Sequence, residues 1–114
     1  MQIKDVIRIL DAEIISGGDL DQEIQSACGS DMMSDALAFV KESSMLLTGL
    51  INPQVVRTSE MLDVHCIVFV RGKIPGTDTI ALAQERNIVL LSTRHRMFTA
   101  CGLLYEGGLR GGAE

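Results

Sequence analysis

Three short apolar runs constrain the fold of this chain more than any other feature. They are SMLLT at 44–48, HCIVFV at 65–70 and NIVLLS at 87–92. None of them alternates polar and apolar residues, as a strand with one solvated face would. Segments with helical spacing lie between them. This alternation predicts a mostly parallel sheet covered by helices on both faces.

The flanking segments extend the same pattern. A first helix is predicted at 3–10, then strands at 12–16 and, more weakly, 23–28. Asn52-Pro53 is a helix start, a capping residue followed by proline at the first helical position. The further predicted helices lie at 31–40, 54–63, 77–86 and from near Thr93 to Glu106. We expect one α/β domain over residues 1–107 and a flexible C-terminal tail over 108–114.

Composition excludes several classes of protein. The 114 residues are 46% hydrophobic and carry a net charge of −5, which disfavours binding to nucleic acid. Three Phe, one Tyr and no Trp leave few rings on which bases could stack. No apolar run approaches the roughly 18–20 residues of a membrane span. Since the start of the chain does not resemble a signal peptide, we expect a cytoplasmic protein without membrane contact.

The sequence gives little support for a metal site or a catalytic nucleophile. Cys28, Cys66 and Cys101 are widely spaced and odd in number, which indicates reduced, buried thiols. His65 and Cys66 are adjacent on a predicted strand, so their side chains point to opposite faces. Asp31 and Asp35 are typical of a solvated first helical turn. We therefore predict no catalytic residue, no metal site and no cofactor.

A ligand of an open α/β sheet binds at the carboxyl ends of the strands. Here that edge comprises three strand-to-helix turns, at 48–53, 71–79 and 92–96. The candidate ligand-binding residues are Thr48, Gly49, Arg71, Gly72, Lys73, Thr93, Arg94, His95 and Arg96.

The third turn carries the strongest signal. Arg94, His95 and Arg96 are expected on the first turn of the last helix, where the helix dipole is already positive. Cations there cost about 0.3–1 kcal/mol each, which predicts a phosphate, a carboxylate or an acidic partner surface nearby. Alternatively, Asp63, Asp78 or Glu106 pairs with these cations on an ordinary solvated surface.

The second turn, VRGKIPGTDT at 70–79, has the composition of a phosphate-binding loop. The Walker pattern GxxxxGK[ST] is nevertheless absent, because Lys73 is followed by Ile74. Pro75 also lacks the N–H group that a phosphate would need. Turn geometry alone is the simpler explanation of Gly72, Pro75 and Gly76.

The order of these motifs resembles the DRTGG domain family, which is related in fold to the N-terminal domain of HPr kinase/phosphorylase. The similar segments span nearly the whole chain: AEIISGGDLDQEI, DMMSDAL, MLLTGL, HCIVFVRGKIP, ALAQERNIVLLST and RMFTACGLL. Two departures stand out. Gly49-Leu50-Ile51 replaces the family's Gly-Asp-Arg, and Arg71-Gly72-Lys73 replaces its Thr-Gly-Gly. We therefore regard the chain as a divergent, stand-alone branch and carry over no specific ligand.

The resemblance implies a three-layer α/β domain with a regulatory or sensory role, and it suggests a homodimer. Such domains are usually attached to CBS domains, pyrophosphatases or phosphotransacetylases. In HPr kinase the catalytic residues lie in the other domain, so we expect no enzyme here. Our preferred function is binding of a small anionic metabolite or nucleotide. The alternatives are dimerisation, docking of a protein partner encoded nearby and, less favoured, phosphoryl transfer.

Overall fold

A five-stranded sheet lies between two layers of helices in the computed structural model, which describes residues 1–39 and 44–111. The helices are α1 (Ile3–Leu10), α2 (Met33–Phe39), α3 (Pro53–Met61), α4 (Thr77–Glu85) and α5 (Met97–Glu106). The strands are β1 (Glu13–Ser16), β2 (Ser26–Gly29), β3 (Ser44–Thr48), β4 (Cys66–Phe69) and β5 (Val89–Ser92).

The sheet has the strand order β1-β5-β4-β3-β2. Strands β2 to β5 are parallel, and β1 pairs antiparallel with β5. The three apolar runs are β3, β4 and β5, the central strands, and every residue of each is buried. The prediction of a three-layer α/β domain with a mostly parallel sheet is confirmed. Val40, the last residue of the second predicted helix, lies outside the described residues.

Two apolar cores form, one on each face of the sheet. Leu46, Ile67 and Leu90 are neighbours across β3, β4 and β5 and pack toward α2, α3 and α4. Their sequence neighbours point the other way, toward α1 and α5, and include Met45, Val68 and Leu91. Successive side chains of a strand point to opposite faces of the sheet, so strands that are apolar throughout contribute to a core on each face.

The start of α3 agrees with its sequence signal. The Asn52 side chain accepts a hydrogen bond from the Gln54 N–H at 3.0 Å, and Pro53 occupies the first helical position. The cap satisfies a backbone donor that has no partner within the helix, and the proline fixes a helical φ. Local sequence alone therefore determines where this helix begins.

The last helix begins later than its sequence pattern predicts. The helix was expected from near Thr93 but starts at Met97, so Arg94, His95 and Arg96 do not lie on its first turn. The reason is tertiary: Arg71 N–H donates to the His95 carbonyl and Gly72 N–H to the Thr93 carbonyl, both at 2.8 Å. These bonds hold the segment out of helical conformation, and Arg96 becomes the N-cap residue.

The beginning of the predicted tail lies against the domain. Leu109 is buried, and the Ala27 N–H donates to the Arg110 carbonyl at 3.0 Å. The Arg110 guanidinium stacks on the Tyr105 ring, 3.8 Å from its centroid. The boundary at residue 107 stays a prediction, and residues 112–114 lie outside the described part of the chain.

No helix in residues 1–39 and 44–111 combines the length and the apolar character that crossing a membrane requires.

Candidate functional site

The turn after β3 is organised by Asp31, which precedes α2. One oxygen of its carboxylate accepts hydrogen bonds from the Gly49 N–H at 2.6 Å and from the Thr48 hydroxyl at 3.2 Å. The Thr48 hydroxyl in turn accepts the Leu50 N–H at 3.1 Å. Asp31 therefore holds the turn in a fixed shape. The sequence indicated Asp31 only as part of a solvated first helical turn, so its role at the neighbouring strand was missed.

Arg71 brings the turn after β4 to the same place. Its guanidinium carbon lies 3.2 Å from the point where a Cβ on Gly49 would stand, and the Asp31 carboxylate lies 3.3 Å from that point. Any side chain at residue 49 would displace the guanidinium. Glycine at residue 49 thus allows the Arg71 guanidinium, from the end of β4, to lie over the end of β3.

The backbone at Arg71 and Gly72 forms a tight reversal. Both residues have positive φ, 61° and 66°, and the Lys73 N–H donates to the Val70 carbonyl at 3.2 Å. Positive φ at both central residues is the signature of a type I′ turn, which favours Gly, Asn or Asp. Arginine in the left-handed region costs roughly 1–2 kcal/mol. Gly72 fits its conformation, whereas Arg71 is held there by the surrounding structure.

The turns after β4 and β5 lead the chain to opposite faces of the sheet. From β4 the chain enters α4, whose Ala83 packs in the core with Leu46 and Ile67. From β5 it enters α5, whose Ala100 and Leu104 pack in the other core. Adjacent parallel strands whose connections diverge in this way open a crevice at their carboxyl ends, the usual ligand position in open α/β folds.

A cavity of about 530 Å³ lies at this edge, beside β5. It is lined by Leu10, Asp11, Glu13, Gly72, Ile74, Ser92, Arg94 and His95. Two hydrogen bonds fix its walls: the Thr93 hydroxyl donates to the Leu10 carbonyl and the Ser92 hydroxyl to the Lys73 carbonyl, both at 2.8 Å. Three of its lining residues, Gly72, Arg94 and His95, belong to the candidate set.

The other candidates, Arg71 among them, do not line this cavity. Thr48, Gly49 and Thr93 are buried, and the Arg71 guanidinium lies over Gly49. Lys73 is exposed on the turn after β4. Arg96 is exposed at the N-cap of α5 and does not line the cavity. Asp11 and Glu13 were missed, because nothing in the sequence shows that β1 runs beside β5.

None of the candidate cations forms an ion pair within the part of the chain that the structure describes. Of the acidic residues considered as their partners, Asp63 pairs with His65 at 2.9 Å. The Asp78 carboxylate accepts the Thr79 N–H at 2.8 Å. The described residues therefore do not support neutralisation of these cations by Asp63 or Asp78.

A second cavity, of about 570 Å³, lies at the opposite end of the sheet, between α1, the end of α5 and the segment before β2. Its walls include Asp5, Arg8 and Glu23. Arg8 already has Asp5 as an ion-pair partner at 3.5 Å. We therefore place the candidate site at the carboxyl edge, where strand topology and cations without a carboxylate partner coincide.

The three thiols were predicted to be buried, but only Cys66 is, and Cys28 and Cys101 are partly buried. Burial raises the pKa of the Cys66 thiol from 9.0 to about 12, and it also raises the pKa values of the Cys28 and Cys101 thiols. Raised pKa values disfavour the reactive thiolate. Within residues 1–39 and 44–111, no group of three or more His, Cys, Asp or Glu side chains is placed to hold a metal ion.

Comparison with solved structures identifies the fold. The chain is similar to the CBS and DRTGG domains of the regulatory region of Clostridium perfringens pyrophosphatase, in complex with its activator diadenosine tetraphosphate, with a TM-score of 0.69. The two are 21% identical, and the match covers 90% of this chain and 45% of that chain. The present chain therefore has a DRTGG-like fold and spans about half the length of the matched structure.

No family model matches the sequence. No curated protein matches it either. The expected likeness to the N-terminal domain of HPr kinase stays a prediction.

We predict that Asp31→Ala lowers the free energy of unfolding by about 1–3 kcal/mol, because the buried Gly49 N–H loses its acceptor. Urea unfolding measures the change. Asp31→Asn is the matched control: its amide oxygen can still accept the hydrogen bond, so most of the stability should remain. Equal stability of the alanine variant and the unmodified protein would contradict the role assigned to Asp31.

Proposed function

We propose that this chain is a regulatory domain that binds a small anionic ligand, a nucleotide or a phosphorylated metabolite, at the carboxyl ends of β4 and β5. One observation carries this function. Two turns that hydrogen-bond to each other carry Arg71, Lys73 and Arg94 where the connections diverge; Arg94 lines the cavity and the Arg71 guanidinium lies over Gly49. A domain with a net charge of −5 concentrates cations there.

The neighbouring helix N-terminus adds to this preference for an anion. The α5 N-cap, Arg96, makes no side-chain capping hydrogen bond, and no acidic residue occupies the first turn. The first N–H groups of a helix carry partial positive charge and have no partner within the helix. In α4, by contrast, Asp78 already lies in the first turn. The N-terminus of α5 therefore adds positive potential at this edge that no acidic residue of its own first turn offsets.

The strained turn supports the same location. Arg71 stays in an unfavourable conformation while its guanidinium lies over Gly49. Unfavourable backbone conformations concentrate at functional sites, where the surrounding structure maintains them. A ligand contact would account for an exposed arginine that is held on a strained turn.

The solved neighbour is consistent with a nucleotide as ligand. That protein is the regulatory region of a pyrophosphatase with a bound dinucleotide activator. By analogy we assign the present domain a binding role without an activity of its own. We also place it in the cytoplasm, where nucleotides are abundant.

We predict that Arg71→Ala combined with Arg94→Ala abolishes the rise in melting temperature that nucleotides or phosphorylated metabolites cause in the unmodified protein. A ligand that binds only the folded state stabilises it according to its affinity, and removal of two cations lowers that affinity. Thermal-shift measurements with a panel of mono- and diphosphates provide the readout. Arg57→Ala combined with Arg86→Ala is the control, because it removes the same charge from α3 and the end of α4.

Two results would contradict this function. One is the absence of any shift with all the phosphate-bearing compounds tested. The other is an equal loss of the shift in both double variants, since that would indicate a general charge effect and not a site.

A second function, self-association, is favoured by the exposed face of α5. From Met97 to Tyr105 this helix has no charged residue. Phe98 is 91% exposed and Tyr105 60% exposed, seven residues apart and so on one side of the helix. Gly102 lies between them, with open space where a Cβ would project. A helix that is apolar all round is usually covered. We propose that a second copy covers it, and a protein partner encoded nearby is the alternative.

We predict that Phe98→Glu shifts the protein toward monomer in solution scattering at micromolar concentration, because it places a charge in the apolar contact. Met61→Glu is the control, since Met61 is 74% exposed on α3, in the other helix layer. A monomeric unmodified protein, or equal effects of the two variants, would count against an interface at α5.

A further inference from the structure

The cavity beside β5 carries charges of both signs on two different walls. One wall is built from the end of α1 and the start of β1 and holds Asp11 and Glu13. The other is built from the turns after β4 and β5 and holds Arg94 and His95. A site that is designed only for an anion would not need the acidic wall.

The acidic wall is a fixed part of the fold. Asp11 is the C-cap of α1 and has a φ of 49°, in the left-handed region. The partial negative charge of the helix C-terminus lies at the same wall. Glu13 is the pairing partner of Ser92 in the β1–β5 ladder, which places it directly beside the cationic turn.

The two walls do not neutralise each other. Within the part of the chain that the structure describes, neither Asp11 nor Glu13 forms an ion pair with Arg94, His95 or any other residue. Separated charges across a cavity produce a field directed from one wall to the other. The complementary ligand has an anionic end and an end that donates hydrogen bonds. A simple anion would satisfy one wall and be repelled by the other.

The remaining residues that line the cavity indicate which chemical group joins the anionic end and the donor end of the ligand. Ile74 lines the cavity and is 50% exposed, so it contributes apolar surface, whereas the Leu10 side chain is buried in the core. The volume of about 530 Å³ is within the range of small-molecule sites, roughly 300–1,000 Å³. Such a cavity accommodates a ring system together with a sugar, which is far more than a lone phosphate requires.

We propose that the ligand is a nucleoside phosphate whose phosphate faces Arg94 and His95 and whose ribose hydroxyls donate to Asp11 and Glu13. Carboxylates commonly recognise ribose in this way, since the adjacent hydroxyls present two donors. The base lies against Ile74. This ligand assignment rests on the proposed anion-binding function and specifies its chemical class.

The test compares adenosine 5′-monophosphate with inorganic phosphate by calorimetry, in the unmodified protein and in Asp11→Asn combined with Glu13→Gln. We expect the double variant to bind the nucleotide roughly tenfold more weakly, because hydrogen bonds to charged acceptors are lost. We expect inorganic phosphate to bind the variant equally well or more tightly, since repulsion is removed. The 2′,3′-dideoxy nucleotide should bind the unmodified protein about as weakly as the variant binds the full nucleotide.

Asp19→Asn combined with Asp21→Asn is the control, because it makes the same charge change in the exposed loop after β1 and should leave both affinities unchanged. Melting temperatures without ligand confirm that each variant folds. Tighter binding of both probes to the Asp11/Glu13 variant would overturn the ribose assignment and leave the anion site intact. No binding of either probe to the unmodified protein would overturn both. Undiminished nucleotide binding in Arg94→Ala would overturn the anion site itself.

Discussion

Two backbone hydrogen bonds at the carboxyl edge determine the arrangement on which the rest of the site depends. Arg71 N–H and Gly72 N–H donate to the carbonyls of His95 and Thr93. They join the exits of β4 and β5 just where the chain departs to opposite faces of the sheet. Without them the segment after β5 could continue as helix from Thr93, as its sequence pattern predicts. With them, Arg94 faces a cavity and α5 begins four residues later, at Met97.

Arg71 links the turn after β4 to the turn after β3 at the same edge of the sheet. Its guanidinium lies over Gly49, whose N–H is held by Asp31, so the turns after β3, β4 and β5 form one continuous surface. In the resemblance drawn from sequence, the arginine of the Gly-Asp-Arg triplet after β3 is missing. The structure places the guanidinium of Arg71, from the turn after β4, over Gly49, the first residue of that triplet.

The sequence was sufficient for the architecture because strands buried on both faces are recognisable from composition alone. The start of α3 could also be predicted, because its signal, Asn52-Pro53, lies in adjacent residues of the sequence. Two features of the site were not predictable in this way. The start of α5 depends on hydrogen bonds between turns separated by more than twenty residues. The acidic wall of Asp11 and Glu13 depends on antiparallel pairing of β1 with β5, a sheet order that no local pattern encodes.

Binding of a phosphate-bearing ligand in the crevice at the carboxyl ends of β4 and β5 is the proposal on which the others depend. Titration of the ¹⁵N-labelled protein with adenosine 5′-monophosphate, followed through backbone amide shifts, tests it most directly. We expect the largest saturable shifts at Arg71, Gly72 and 93–96, with smaller shifts at Asp11 and Glu13. Saturable shifts confined to the cavity at the opposite end of the sheet, around Glu23 and Gly107, would contradict it, as would a spectrum that does not change.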